Sequence, residues 1–581
     1  MQLRTIITFI KGVLILAPPL LIGILIFKNG VNLPVLDEWN GTAPLFEKMA
    51  DGTLGVADFF AQHNEHRIFF PRLIFFGLGR LTHWDIRAEL WVIWLLTLVC
   101  LFNIWRIARS LPSAFWLLFA ASVLLFSPQS VANFLWGFQV GFFLPLACVT
   151  ASIWTAAYLR YPFNFLVAII LCTICTFSIG GGFTSWLLTT PVLLFAPAQS
   201  PSSASRKWWA TWLFLFSIEL LLYFWGYENP PNHPPVWWFL GHPIEAAEYI
   251  LLFFGSPFSR GTNLPPIPVG LSVGALLLLM LLIAGFYVWR NRSDRTLLGE
   301  VMPWLILAMV CVNYAVLIMI GRAGLGPGQA RAPRYLPFAA MLPIALLPLG
   351  RLIYTHWARS ASTHGRWLAK GALSASILPL AFFTGAGFLG GLPFWPMNRQ
   401  LSAYRKTLVT FINVVPETEQ LADSVFPWPD RVKTAVNVLN RIGYWRPPLI
   451  RSNLIGDIAN GAGEKASGEF QFNEGEAGWI NARGWAFLPK KRRPADAVLI
   501  TYVNAASRGK PLICAITSVG SSYEVARLRA VWDASALPST WKARFPRTRL
   551  SEGQHCYLEA WAFSAGENRA YRLPGDAFFL W

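Results

Sequence analysis

The sequence predicts a polytopic α-helical membrane protein with a soluble C-terminal domain resembling a β-sandwich. Three observations carry this. Of 581 residues, 55% are hydrophobic and 13% charged, against roughly a quarter charged in soluble domains. The apolar residues gather into about eleven runs nearly free of charge, most of them long enough to cross a hydrocarbon core of about 30 Å. From about Gly468 the pattern changes to short segments separated by Gly and polar turns, which read as strands.

The runs are 8–27, 89–108, 112–127, 138–159, 163–179, 183–197, 208–226, 269–289, 301–320, 335–351 and 367–391. The first extends from about Ile6 to Phe27. That is too long for the apolar region of a signal peptide, and no small-residue cleavage site follows, so it reads as a span. The fifth and sixth are short and separated by Gly180-Gly181-Gly182; they read as a tight hairpin or a re-entrant pair. Pairs such as Trp208-Trp209 and Trp237-Trp238 stand at run ends, as in an interfacial aromatic belt.

The spans belong to residues 1–398, with a large first outer loop at 28–88. Residues 399–460 read as a helical or irregular linker with breaks at Pro416, Pro427 and Pro429. Residues 461–581 form the β-rich domain, with strands at Val498–Val503, Leu512–Ile516 and Cys556–Phe563. Five of the seven cysteines lie in apolar runs. Cys514 and Cys556 lie in the tail and are able to pair if it faces an oxidising compartment.

The net charge of +18 is spread over short connections. That distribution suits orientation signals and anionic lipid, not nucleic acid. Arg106, Arg109, Arg160, Arg206, Lys207, Arg290, Arg292, Arg295, Arg351, Arg359, Arg366 and Lys370 all fall on one side, which the positive-inside rule makes cytoplasmic. An odd span count then puts the tail outside. The outer connections are 28–88, Gln129 to Gln139, 227–268 and Gly321 to Arg334.

Four constellations in these outer loops are able to carry chemistry. Asp37-Glu38 follows the first span; adjacent carboxylates serve as general base or metal ligand, or are plain solvated loop groups. Gln62-His63-Asn64-Glu65-His66-Arg67 concentrates two of eight histidines with a carboxylate, an amide and a guanidinium. On a helix, His63 and His66 would share a face. The cluster reads as a hydrogen-bonded substrate site, with a divalent metal at His63 and His66 as the lesser reading, since spacing fixes no further ligands. Gln129, Asn133, Trp136 and Gln139 recur near helical spacing. Amides and indole suit a sugar, and a capped interfacial helix is the equal alternative. Arg322, Arg331 and Arg334 precede Tyr335 at an outer membrane end, against the positive-inside trend. They call for a partner, and phosphate fits, because Arg binds it in bidentate fashion.

An acidic pair after the first helix, a helical first outer loop, many spans and an Arg-Tyr opening a late span resemble the GT-C glycosyltransferases. These are polyprenyl-phosphate-sugar-dependent enzymes of bacterial envelopes, akin to protein mannosyltransferases and aminoarabinose transferases. The resemblance covers about residues 1–400 and rests mainly on motif order. It implies Asp37 as general base with Glu38 beside it. It implies Arg334 on the lipid phosphate, with Arg322 and Arg331 behind it; His66 and Arg67 have no assured role in that family and are placed only as lining the site. It implies a polyprenyl-phosphate sugar donor, an envelope glycan or lipid acceptor, no required cofactor, and a bacterial inner-membrane location with a periplasmic tail. No P-loop or dinucleotide fingerprint is present. An O-antigen ligase-like transferase using a diphosphate carrier and a non-enzymatic lipid or glycan transporter are the alternatives.

Overall fold

The computed structural model describes all residues except 1, 110, 113, 196–204, 232, 263, 416, 460–464, 476–477, 490–491, 504–508, 521–527, 551–555, 576–577 and 581. Pro416, the end of the 183–197 run and the start of the 461–581 segment therefore lie outside the described residues. The chain divides into two compact units. The first comprises Met1–Phe27, Gly55–Ile74 and Glu89–Gly391; the second comprises Lys28–Leu54, Phe75–Ala88 and Leu392–Trp581.

Helices occupy every apolar run. Among the described residues, eight are long and apolar enough to cross a membrane: Arg4–Asn29, Ile86–Ala108, Ala114–Phe134, Gly137–Tyr158, Pro266–Arg290, Arg295–Leu325, Pro333–Trp357 and Thr363–Thr410. Their surfaces agree. On Pro266–Arg290, Leu279, Leu282, Ile283 and Phe286 are all more than half exposed, a patch that water would not tolerate and lipid would. The protein is thus a multi-pass membrane protein.

The first unit holds its helices together with sparse polar contacts inside an apolar matrix. Asn103 Nδ2 donates to the Ala147 carbonyl (3.1 Å) and to Thr150 Oγ1 (2.9 Å), while its Oδ1 accepts from Trp154 Nε1 (2.8 Å). Glu219 accepts from Trp186 Nε1 (2.9 Å) and from Thr173. Such interhelical bonds satisfy groups that lipid cannot.

Phe163–Thr176 and Thr184–Phe195 are apolar helices of 14 and 12 residues, about 21 and 18 Å long, short of the core thickness. The turn between them needs its glycines. A Cβ on Gly182 would lie 1.9 Å from the Cys175 carbonyl oxygen, so only glycine lets the chain double back here.

In the second unit, Phe394–Thr410, Thr418–Ser424 and Pro429–Arg441 are helices. Pro429 begins the last of these instead of breaking one, since proline is suited to a first helical turn. Its buried stripe is Val432, Ala435, Val436 and Leu439, the spacing of one helix face. Arg431 pairs with Glu47 at 2.6 Å, and Trp39 packs on Trp445.

Strands β3 (Ser467–Glu474), β4 (Trp479–Phe487) and β7 (Thr540–Pro546) form one antiparallel sheet in the order β3-β4-β7. Strands β5 (Ala497–Val503), β6 (Leu512–Thr517), β8 (Cys556–Ser564), β9 (Arg569–Arg572) and β10 (Phe578–Leu580) form another, ordered β10-β8-β5-β6 with β9 on β8. Both sheets feed one hydrophobic cluster, which includes Phe470, Phe472, Ile480, Val498, Ile500, Trp541, Phe545, Leu558 and Ala560.

Cys514 and Cys556 are both free, which corrects the pairing the sequence allowed. They lie on β6 and β8, which flank β5 on opposite sides. Two strand spacings separate them, about 10 Å, beyond disulfide reach.

Candidate functional site

The His63–Arg67 cluster is not helical. Gln62–His63 and His66–Arg67 are the two short strands β1 and β2 of a hairpin, with His63 opposite His66 and Asn64 at φ 49° in its turn. The physical reason is the left-handed turn residue, a conformation Asn tolerates. Gln62 clamps the hairpin, donating to the carbonyls of Asn64 (2.7 Å) and Glu228 (2.6 Å).

Arg67 is turned to a structural task. It donates to the carbonyls of Tyr223 (2.6 Å), Phe60 (3.1 Å) and Trp225. Tyr223 and Trp225 lie at the C-terminal end of the helix Ser205–Phe224, where a cation is favoured by the helix dipole.

The hairpin presents Glu65 and His66 to a cavity of about 500 Å³ within the first unit. Its wall is built from the turn Ile179 to Phe183, the C-terminal ends of Ser205–Phe224 and Arg295–Arg322, Asn229, Pro230, the segment His233 to Trp237, and Arg334-Tyr335. The cavity thus lies at one end of these helices. Most of its lining is aromatic or apolar, with Phe142, Tyr227, Trp237, Leu317 and Ile318 among it.

Glu65 is the hub. Arg322 Nη2 donates to its Oε1 at 2.5 Å, His66 Nε2 faces Oε1 at 3.5 Å, and His233 Nε2 faces Oε2 at 3.7 Å. Oε2 is buried and accepts no hydrogen bond from the described residues. Burial pushes the Glu65 carboxyl up, but the facing His66 and Arg322 more than reverse this and hold it down at about 2.

The Gly180 amide donates to His66 Nδ1 at 2.7 Å. That nitrogen therefore carries no proton, and the ring N–H is at Nε2, toward Glu65. Gly180 has to be glycine, because a Cβ there would lie 2.6 Å from His66 Nδ1 and 3.1 Å from the Glu65 carbonyl oxygen.

Arg334 also lines the cavity. Its contacts are the Gln329 amide oxygen at 3.4 Å and the Tyr335 ring at 4.9 Å, neither of them anionic. Beside it is Tyr249, fully buried, with a hydroxyl that finds no hydrogen-bond partner among the described residues and that feels the charges of Arg334 and Arg322. His233 is partly buried, and burial pushes its imidazole down against the opposing pull of Glu65.

Of the residues singled out from sequence, Glu65, His66, Arg322, Arg334 and Tyr335 meet in this cavity. Others do not line it. Gln129 Nε2 donates to the Pro257 carbonyl (2.7 Å) and Asn133 Nδ2 to the Pro333 carbonyl (2.6 Å). Both side chains are buried, as is Gln139. Trp136 stacks near Phe138. His63 is buried against Phe138 with its Nε2 near the Asn64 amide at 3.4 Å. Arg331 Nε donates to Ser259 Oγ at 3.1 Å, and its carbonyl accepts from Arg260.

Asp37 and Glu38 belong to the second unit. Glu38 is fully buried and its Oε2 accepts from the Val35 amide at 2.5 Å. Among the described residues no three His, Cys, Asp or Glu side chains gather as a metal site. Sequence reasoning missed His233 and the tyrosines 223, 227, 249 and 314. His233, in a Pro-rich segment, carried no spacing signal.

No family model, no curated protein and no solved structure matches the chain. Fold and site together define a multi-pass membrane protein with a largely apolar cavity, bearing Glu, His and Arg side chains, at one end of its apolar helices.

Proposed function

We propose that the chain is a membrane glycosyltransferase of the GT-C kind. It moves a sugar from a polyprenyl-phosphate carrier to an envelope glycan or lipid acceptor, on the outer side of a bacterial inner membrane. In this reading the helices make about eleven crossings and the tail is a periplasmic β-sandwich. One observation supports it above others: a carboxylate, two imidazoles and an arginine with no anionic partner among the described residues converge in one aromatic-walled cavity at the ends of apolar helices.

Each part of that reaction has a group to serve it. Arg334 meets the carrier phosphate and stabilises the charge that grows on it as the glycosidic bond breaks. Glu65, held at about 2, is too weak a base to take the acceptor proton. Its Oε2 faces the His233 ring at 3.7 Å and orients that imidazole instead. Neutral His233 takes the proton, and Glu65 stabilises the resulting imidazolium, as a carboxylate does for a catalytic histidine. Aromatic walls exclude water from the activated sugar. The resemblance assigns the base to Asp37, and the two assignments give different mutants.

Membranes bearing each variant, supplied with sugar on polyprenyl monophosphate, test this. His233→Ala should lose transfer at least a hundredfold, and Arg334→Ala roughly 30- to 150-fold. Loss in Asp37→Asn with His233→Ala active would move the base to Asp37. Wild-type transfer in all three refutes the assignment of the site. A second reading, an O-antigen ligase-like enzyme, is favoured by the predominance of Arg and His over carboxylate in the cavity; transfer from a diphosphate carrier and none from a monophosphate would select it.

A further inference from the structure

The sheet β3-β4-β7 has a buried face and an open one. Phe470, Phe472, Ile480, Ala482, Trp541 and Phe545 point into the core. The alternate residues point away, as strand period requires. The register aligns them in rows: Glu469, Trp485 and Thr540; then Gln471, Arg483 and Lys542; then Asn473, Asn481 and Arg544. All but Asn481 are exposed, Trp485 to 38%.

Trp485 offers part of its indole to solvent on this face, with Phe487 edge-on to it at 6.1 Å. Arg483 Nε donates to Gln471 Oε1 at 3.2 Å and Gln471 Nε2 to Glu469 at 3.3 Å. This fixes the guanidinium and leaves its terminal amines outward. Arg544 is laid over the Trp479 ring at 4.8 Å. Lys542, Arg483 and Arg544 bond to no carboxylate among the described residues. In the three rows, three cations stand against the single carboxylate of Glu469, leaving two net positive charges. Trp485 and Trp479 are six residues apart on one strand, about 20 Å, with amide and guanidinium donors between them.

We propose that this face binds an acidic glycan strand laid along β4. A sugar ring stacks on Trp485, and carboxylate or phosphate substituents meet Arg483, Lys542 and Arg544. The indole suits the apolar face of a pyranose, the amides suit its hydroxyls, and the surplus charge selects an anionic chain over a neutral one. The proposal does not depend on the transferase reading.

The test uses the full chain in detergent with polygalacturonic acid, dextran and phosphatidylglycerol vesicles as probes. Polygalacturonic acid should bind at least tenfold more tightly than dextran. Trp485→Ala and Arg483→Gln should each weaken it at least fivefold with an unchanged unfolding midpoint. Lys510→Ala, the same charge loss at an exposed site off this face, should leave it unchanged. Equal binding of dextran, wild-type binding by Arg483→Gln, an equal loss in Lys510→Ala, or tighter binding of the vesicles would each overturn the proposal.

Discussion

Gly180→Ala is the sharpest perturbation of the cavity. The added methyl would sit 2.6 Å from His66 Nδ1 and 3.1 Å from the Glu65 carbonyl oxygen. His66 cannot swing away freely, because the same nitrogen accepts the Gly180 amide at 2.7 Å and the ring packs near Phe142. Overpacking of this kind costs about 1–3 kcal/mol, and the lost hydrogen bond about 1 kcal/mol more. The expected total is about 2–4 kcal/mol, read by denaturant-driven unfolding of the purified protein. Removing the ring should relieve most of the clash. In a His66→Ala background the same substitution should therefore cost at least about 1 kcal/mol less, within the coupling usual for contacting residues. Additive costs, or a Gly180→Ala protein as stable as wild type, would refute the argument that this glycine exists to admit His66.

The Glu65 carboxyl sits at about 2, below its ordinary 4.5. A depressed folded value means stability fully present above about 4.5 and lost as the pH falls toward 2. Allowing for its one-quarter exposure, the loss should be about 2 kcal/mol, and Glu65→Gln should flatten that part of the stability–pH curve. In the second unit, Arg549 holds the buried Glu417 through two bonds of 2.6 and 2.9 Å. Arg549→Ala strands that carboxylate and should cost about 3–5 kcal/mol, measurable as a lower unfolding midpoint. Arg67→Ala should cost about 2–4 kcal/mol by uncapping the helix Ser205–Phe224; Arg67→Lys should restore only part of this, since an ammonium lacks the planar fork.

What the sequence disclosed follows from which signals are local. Apolar runs and strand alternation are local, so the apolar helices and β5, β6 and β8 were legible. So was the Gly180–Gly182 turn, though not its reason, because the groups that demand glycine at 180 come from the hairpin more than a hundred residues earlier. The i,i+3 spacing of His63 and His66 suggested a helix face, but one residue at φ 49°, Asn64, makes a hairpin of it. Gln129 and Asn133 had the chemistry to bind sugar, yet both are committed to backbone carbonyls at 257 and 333. An amide side chain looks the same in a sequence whether it serves a ligand or the chain itself. His233 had no pattern around it and became visible only through its distance to Glu65.

The arginines before Tyr335 were read from the sequence as needing partners, and the structure divides them. Arg322 has its carboxylate in Glu65 at 2.5 Å. Arg331 is engaged by Ser259. Arg334 lies in the cavity against an amide oxygen and a ring. Neither contact is an anion, and no carboxylate pairs with it among the described residues, which makes it the group a ligand phosphate would meet. The two cavity arginines should therefore respond differently to removal. Arg322→Ala leaves Glu65 unpaired and should lower both stability and transfer. Arg334→Ala removes an unmatched charge, so stability should hold or rise, while the donor loses about 2–3 kcal/mol of binding, roughly 30- to 150-fold in kcat/KM. Parallel unfolding and kinetic measurements separate the two. If Arg334→Ala destabilises the fold as much as Arg322→Ala does, or leaves kcat/KM for the donor within twofold of wild type, Arg334 is a structural cation and the phosphate lies elsewhere.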